Sequence, residues 1–218
     1  MDLRISPDGR AATLREAAEG SMDLLMDALA PLAGGYRFCA AVLDFSGPGE
    51  GDPPGDDGQR WLERFPVPLI AVVSGPVSPA AMARALGCDI RVAGATLATR
   101  IPPAATRRLL SLARESGIVR LLESGGKVDA SLAAEIGLAS AVVEDAGAEA
   151  DRLARVIASR GPIAERFAKE AVWRGLEMPL SQALRFETDL TILLQSTKDR
   201  AEGVAAFVEK RAPAFKGE

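Results

Sequence analysis

The sequence predicts an α/β fold organised on a parallel sheet, and three observations carry that prediction. Phe38 to Phe45 (FCAAVLDF) and Leu69 to Val73 (LIAVV) are apolar runs of strand length, the second rich in β-branched residues and bounded by prolines before and Ser-Gly-Pro after. The stretches between the strand-like runs carry helical spacing or helix-start chemistry. The resulting order is strand, helix, strand, helix, strand, which implies parallel strands joined by right-handed crossovers.

Asp2 to Ser6 reads as a short first strand, closed by a turn at Pro7-Asp8-Gly9. Ser21 to Leu32 (SMDLLMDALAPL) sets Met22, Leu25, Met26 and Leu29 on one helical face behind a Ser21 cap, and such a stripe reads as core. Gly47 to Gly58 (GPGEGDPPGDDG) is too rich in glycine, proline and aspartate to order itself by burial and reads as a loop. Thr106 to Leu122 has helical spacing broken near Gly117. From Gly147 the chain reads as helical: Glu149 to Arg160, Pro162 to Arg174, Leu180 to Thr197 and Glu202 to Lys210, with breaks at Arg160-Gly161-Pro162 and Lys198-Asp199. The expected division is an α/β core over residues 1–146 and a helical segment over 147–218. No internal repeat is visible.

The most informative local feature is Ser78-Pro79, directly after the LIAVV strand. Serine suits an N-cap, and proline suits the first helical position, where its missing N–H has no intrahelical partner to lose. Ala80 and Ala81 keep their N–H groups, and these point outward at the positive end of the helix dipole. That is a main-chain site for a developing negative charge.

Composition bounds the remaining options. The chain has 218 residues, 48% apolar and 26% charged, which matches an ordinary globular protein able to bury a substantial core. Twenty-six basic against thirty acidic residues leave a net charge of −4, and aromatics are 5%, so neither a basic stripe nor a stacking platform for nucleic acid is in view. No apolar run of membrane-spanning length occurs, and Met1 to Pro7 lacks the plan of a signal peptide; a cytoplasmic protein is expected. Histidine is absent, which removes Ser-His-Asp and Cys-His schemes and every histidine metal site. Cys39 and Cys88 cannot form a structural zinc site by themselves and read as small buried residues, so no metal is expected.

Residues Gly75 and Cys88-Asp89 fall without a gap on the motif N-G-x-A-x-G-G-G-x-E-L-A-x-x-C-D. STKDRAEGVAAFVEKRAPAFKG (Ser196 to Gly217) is similar to T-x-D-x-x-E-G-x-x-A-F-x-E-K-R-x-P-x-F, and Val128 to Ala146 to A-x-x-A-x-x-x-G-L-V-x-x-V-V. These are motifs of the crotonase (enoyl-CoA hydratase/isomerase) superfamily, which the chain resembles from about Leu69 to its end. The resemblance implies a crotonase-like fold, homotrimers or hexamers, and acyl-CoA substrates in which coenzyme A is part of the substrate, with no permanently bound cofactor. It makes the Ala80 N–H one donor of an oxyanion hole. An A-G-x-D step supplies the second donor in the family; Gly49-Glu50-Gly51-Asp52 echoes it, with Gly51 as the candidate. It also makes Phe207 and Lys210 contacts for CoA, sometimes on a neighbouring subunit; from pattern alone Phe207 reads as core and Lys210 as solvated.

The departures are as informative. The glycine triplet is Pro79-Ala80-Ala81, and the two glutamates that handle water and the α-proton in the family's hydratases fall on Ala83 and Pro103. Neither can carry a proton. General acid–base catalysis is worth about 10²–10⁴-fold, so ordinary hydration is not expected. Glu50, Asp52, Glu115 and Glu123 are the candidates for a replacement carboxylate, and surface charge is the plainer reading of Glu115 and Glu123. Arg107, Arg108, Arg114 and Arg120 are candidates for a basic patch toward CoA, or a solvated helix face. Two functions follow: an acyl-CoA enzyme that stabilises a thioester enolate, or a non-catalytic scaffold of the same superfamily serving a partner enzyme.

Overall fold

The computed structural model describes all residues except Met1, Glu16, Ala18, Glu19, Pro48, Glu50 and Arg114, and at Ala104 and Thr106 the backbone alone. The chain opens with a hairpin in which β1 (Asp2–Ile5) pairs antiparallel with β2 (Ala11–Arg15), with Gly9 at φ +71° in the turn. β2 was not anticipated: AATLR is short and half polar, and it is ordered by pairing with the next strand rather than by local pattern. Strands β3 (Ala40–Asp44), β4 (Leu69–Val73), β5 (Ile90–Gly94) and β8 (Ala141–Val143) then continue the sheet in parallel, in the order β1-β2-β3-β4-β5-β8. Two further strands, β6 (Ala98–Arg100) and β7 (Lys127–Asp129), form a separate antiparallel pair.

Side chains alternate between two cores as the strand pleat requires. In β4, Leu69, Ala71 and Val73 enter the larger core with Leu25, Leu29 and Met82, whereas Ile70 and Val72 face the other side. There they meet Ala146, Ala150 and Ala154 of α7 (Ala146–Ala158), a stripe of small residues at every fourth position that lets the helix lie close to the sheet. α1 (Met22–Ala33) is capped as expected, Ser21 Oγ accepting from the Leu24 N–H, and it buries Leu25, Leu29 and Leu32.

Three boundaries differ from the sequence reading. The Gly/Pro/Asp loop is shorter, because Asp56 starts a helix, α2 (Asp56–Glu63), whose two acidic first-turn residues suit the helix dipole. Gly117 does not break a helix. The break falls between α4 (Thr106–Leu112) and α5 (Glu115–Glu123), and Gly117 lies inside α5, where a Cβ would sit 2.9 Å from Ile136 Cβ. The last helix starts at Lys198, four residues before the expected Glu202, because Thr197 caps it through Oγ1.

After α6 (Ala130–Glu135) and α7 come α8 (Pro162–Gly175), α9 (Leu180–Gln195) and α10 (Lys198–Glu209). α8 docks across the N-terminal ends of the parallel strands. Arg166 donates to the Ala33 and Phe38 carbonyls, and Lys169 Nζ binds Asp89 at 2.6 Å and the Val67 carbonyl at 3.2 Å. The tail folds back on α10: the Lys216 and Gly217 amides donate to the buried Asp199 carboxylate at 2.7 and 2.9 Å.

Candidate active site

Beyond the C-terminal end of β4, Ser74 and Gly75 lead into a tight turn, with Gly75 at φ +68°. The turn is held from both sides. Val77 N–H donates to the Ala98 carbonyl and Ala98 N–H to the Gly75 carbonyl, each at 2.9 Å, while Val77 also bridges to Gly47. The turn delivers Ser78 as the N-cap and Pro79 as the first residue of α3 (Pro79–Leu86). Ser78 Oγ accepts from Ala81 N–H at 3.2 Å, and Ser78 O accepts from Met82 N–H at 2.9 Å. Immediately before those two donors comes the Ala80 N–H, for which no acceptor exists among the described residues. Of the two amides the sequence left open, Ala81 is therefore consumed by the cap, and Ala80 remains available at the positive end of the helix dipole.

Gly51 stands at φ +127°, a conformation suited to glycine, and a Cβ there would lie 3.1 Å from the Gly20 carbonyl oxygen and 3.7 Å from Arg84 Nη1. Arg84 follows Ala80 by four residues on the same helix face, and helical side chains lean toward the N-terminus. Gly51 is thereby brought to the side of α3 that carries Ala80. Arg84 is fully buried, with Nη1 2.8 Å from the Gly20 carbonyl, and burial depresses its pKa.

Ala83 is fully buried one turn into α3, and Pro103 opens a 3-10 turn (Pro103–Ala105) that packs against α3. Neither residue carries a titratable side chain. Beside Ala83 lies a residue the sequence reading missed. Gln59 of α2 is fully buried, its Nε2 donates to the Ala83 carbonyl at 3.1 Å, and its Oε1 has no partner. The available signal was its spacing three residues before Leu62 on the buried face of α2, visible only once Asp56–Glu63 is known to be helical.

The carboxylate candidates do not converge on Ala83. Asp52, Glu115 and Glu123 are exposed, the last two at the ends of α5, and Glu50 lies outside the described residues. The arginines are occupied. Arg107 pairs with Glu63 at 2.7 Å, Arg108 donates to the Leu86 carbonyl at 2.9 Å, and Arg120 pairs with Glu135 at 3.2 Å; Arg114 lies outside the described residues. The first two tie α4 to α2 and α3, a fastening role rather than an open patch.

Phe207 and Lys210 sit far from Ala80 in the same chain. Phe207 is 85% exposed and lines a cavity of about 430 Å³ with Gly161, Ile163 and Phe215, corrected from the core position that pattern alone suggests. Lys210 caps α10 in the left-handed region at φ +55°. Gly161 follows α7 at the N-terminal edge of the sheet, whereas Ala80 follows the C-terminal end of β4, and a five-residue strand spans about 17 Å. Both cysteines are buried free thiols; desolvation pushes Cys88 up to about 12. Among the described residues no group of three metal-ligating side chains forms, and no helix is long and apolar enough to cross a membrane.

Residues 49–218 match the family model described as enoyl-CoA hydratase/isomerase. The 2,3-dehydroadipyl-CoA hydratase of Escherichia coli is 36% identical over 203 residues, covering 85% of this chain and 80% of that protein. The mitochondrial methylglutaconyl-CoA hydratase of Mus musculus is 37% identical over 177 residues, 72% of this chain and 55% of that protein. The chain spans little more than half the length of the mitochondrial relatives it matches. The crystal structure of an enoyl-CoA hydratase from Bacillus anthracis superposes with a TM-score of 0.83 at 26% identity and full coverage of both chains. The mostly parallel sheet, the β4 turn and the matched sequence agree: the chain belongs to the enoyl-CoA hydratase/isomerase family, in the crotonase superfamily.

Proposed function

We propose that the protein binds acyl-CoA thioesters and stabilises a thioester enolate through the Ala80 N–H, with Gly51 as the second donor. Coenzyme A enters as part of the substrate, and no cofactor is permanently bound. The observation that carries this reading is the unpartnered Ala80 amide at the start of a helix whose neighbouring amide is already capped. One preorganised donor of this kind is worth about 10²–10³-fold in rate. Ala83 and Pro103 supply no acid or base, so the reaction differs from standard hydration and turns on charge stabilisation. The setting is fatty acid metabolism in the cytoplasm, with lyase or isomerase chemistry.

Phe207 and Lys210 fit this reading as contacts made across a trimer or hexamer, because within one chain they lie at the opposite end of the sheet from Ala80. The exposed apolar residues Leu176, Leu180, Leu184, Ile192 and Val208 on the C-terminal helices support such an assembly. A second reading, a non-catalytic scaffold serving a partner enzyme, is favoured by the exposure of Asp52, Glu115 and Glu123, the described carboxylates offered as replacements.

Calorimetric titration with crotonyl-CoA and acetyl-CoA separates the two. A carboxylated enoyl-CoA belongs in the series, since the adipyl and glutaconyl groups named for the relatives carry a second carboxylate. Saturable binding together with α-proton exchange supports the enolate reading. Oligomers that bind no thioester support the scaffold.

A further inference from the structure

A second cavity, of about 280 Å³, opens at the N-terminal edge of the sheet, away from Ala80 and lined chiefly by α8 and the residues before β4. Four cations reach it, Arg64, Arg166, Lys169 and Arg174, against one lining carboxylate, Glu170. Lys169 is committed: its partner Asp89 also accepts the Leu69 N–H at 2.7 Å, so this pair anchors α8 to the sheet. The other three guanidiniums are differently placed. Arg64–Glu177 and Arg174–Glu170 are both 3.0 Å pairs whose side chains are substantially exposed, and exposed pairs contribute only about 0–1 kcal/mol, so they exchange readily for a better anion. Arg166 has no carboxylate partner among the described residues. It stacks on Tyr36 at 4.9 Å, donates to two backbone carbonyls, and leaves its buried Nε without an acceptor. Arg64 and Arg174 both lie over the Trp173 ring, at 5.1 and 5.2 Å, and both line the cavity.

We infer that this cavity is a binding site for a phosphate monoester, with Arg166, Arg64 and Arg174 taking the phosphate oxygens. Arg166 Nη1 and Nη2 each donate to one carbonyl and keep a second N–H for a bound oxygen. A phosphate oxygen set suits three guanidiniums that line one cavity better than a single carboxylate does, because each pair forms a charge-assisted and two-pronged hydrogen bond. The site is separate from the thioester reading and does not depend on it.

The test is isothermal titration of the full chain at low ionic strength with inorganic phosphate, with glycerol 3-phosphate, and with chloride as the nonspecific control. Saturable binding of both phosphates is expected, tighter for the monoester, with none for chloride. Arg166→Gln and Arg174→Gln should each weaken it about tenfold or more, the loss of one charge-assisted hydrogen bond, while the secondary structure of Arg174→Gln, read by circular dichroism, stays unchanged. Arg166 also fastens α8; if Arg166→Gln does not fold, the exposed Arg174→Gln decides alone. Absence of saturable phosphate binding, or phosphate binding that survives Arg174→Gln undiminished, overturns the inference. Tighter binding of inorganic phosphate than of the monoester overturns the ligand class.

Discussion

Gly94 at the end of β5 lies against Ser74, the residue that begins the turn to Ala80. A Cβ on Gly94 would stand 2.7 Å from Ser74 Cβ and 3.4 Å from Ser74 Cα, and closer still to Ser74 Oγ. The hydroxyl can rotate away; the Cβ cannot, because its position is set by the backbone, whose Ser74 N–H is tied to Ser46 Oγ at 3.1 Å. Gly94→Ala must therefore part the two strands, and overpacking of this kind costs about 1–3 kcal/mol. For a chain of this size that corresponds to a fall of roughly 2–12 °C in Tm. Ser74→Gly removes the offending atoms and leaves only the tolerable contact with Cα, at a cost of its own of about 0.5–1 kcal/mol. The double variant should then be more stable than the sum of the two single effects by about 1–2 kcal/mol, read by urea denaturation as a double-mutant cycle. Gly94→Ala with wild-type stability, or strictly additive effects, refutes the strand contact and with it the claim that the turn before Ala80 is rigidly supported from β5.

Two further outcomes follow from the same geometry. The Cys88 thiol is raised from 9.0 to about 12 by burial, so the folded chain keeps a proton that the unfolded chain loses above pH 9; its contribution is complete well below pH 9 and falls by roughly 1 kcal/mol by pH 10. Cys88→Ala should therefore show a shallower loss of stability between pH 8 and pH 10, and denaturation curves at the two pH values with the same loss in both proteins contradict it. If Ala83 and Pro103 are the vacated acid and base positions, Ala83→Glu combined with Pro103→Glu should raise crotonyl-CoA hydration by about 10²-fold or more, followed by loss of enoyl-thioester absorbance; a folded double variant without any gain removes that assignment.

What the sequence made legible was local. LIAVV declares a strand by its own composition, and Ser78-Pro79 declares a helix start because cap and first-turn chemistry need only adjacent residues. The free, buried state of both cysteines was readable for the same reason. What escaped depends on distant partners. β2 is a strand because β1 and β3 flank it, and Gly117 is a contact point because Ile136, nineteen positions later, presses on it. Gln59 was hidden by the loop-like composition of GDPPGDDG, although the two aspartates inside that run are good first-turn residues for a helix. The arginines of α4 read as a solvated face or a CoA patch, and the carboxylate that engages them, Glu63, lies across the fold on α2.

The placement of the conserved-looking tail follows from the parallel sheet itself. Every crossover returns the chain to the N-terminal edge, so a helix that leaves after α7 starts there, and Gly161 does. Arg166 and Lys169 then pin α8 to the carbonyls and to Asp89 at that edge, and Asp199 pins the last residues to the start of α10. These contacts leave the segment holding Phe207 and Lys210 no short route to the far edge, where β4 releases the turn to Ala80. In the trimer or hexamer proposed above, a ligand at Ala80 would meet Lys210 of a second copy of the chain. The tail motif that reads most clearly in the sequence would then act on the neighbouring molecule's substrate, and its exposed Phe207 is the side chain that assembly should cover. Measured binding of a CoA thioester should accordingly weaken on dilution to monomers, whereas binding that persists in an isolated monomer removes Phe207 and Lys210 from the site.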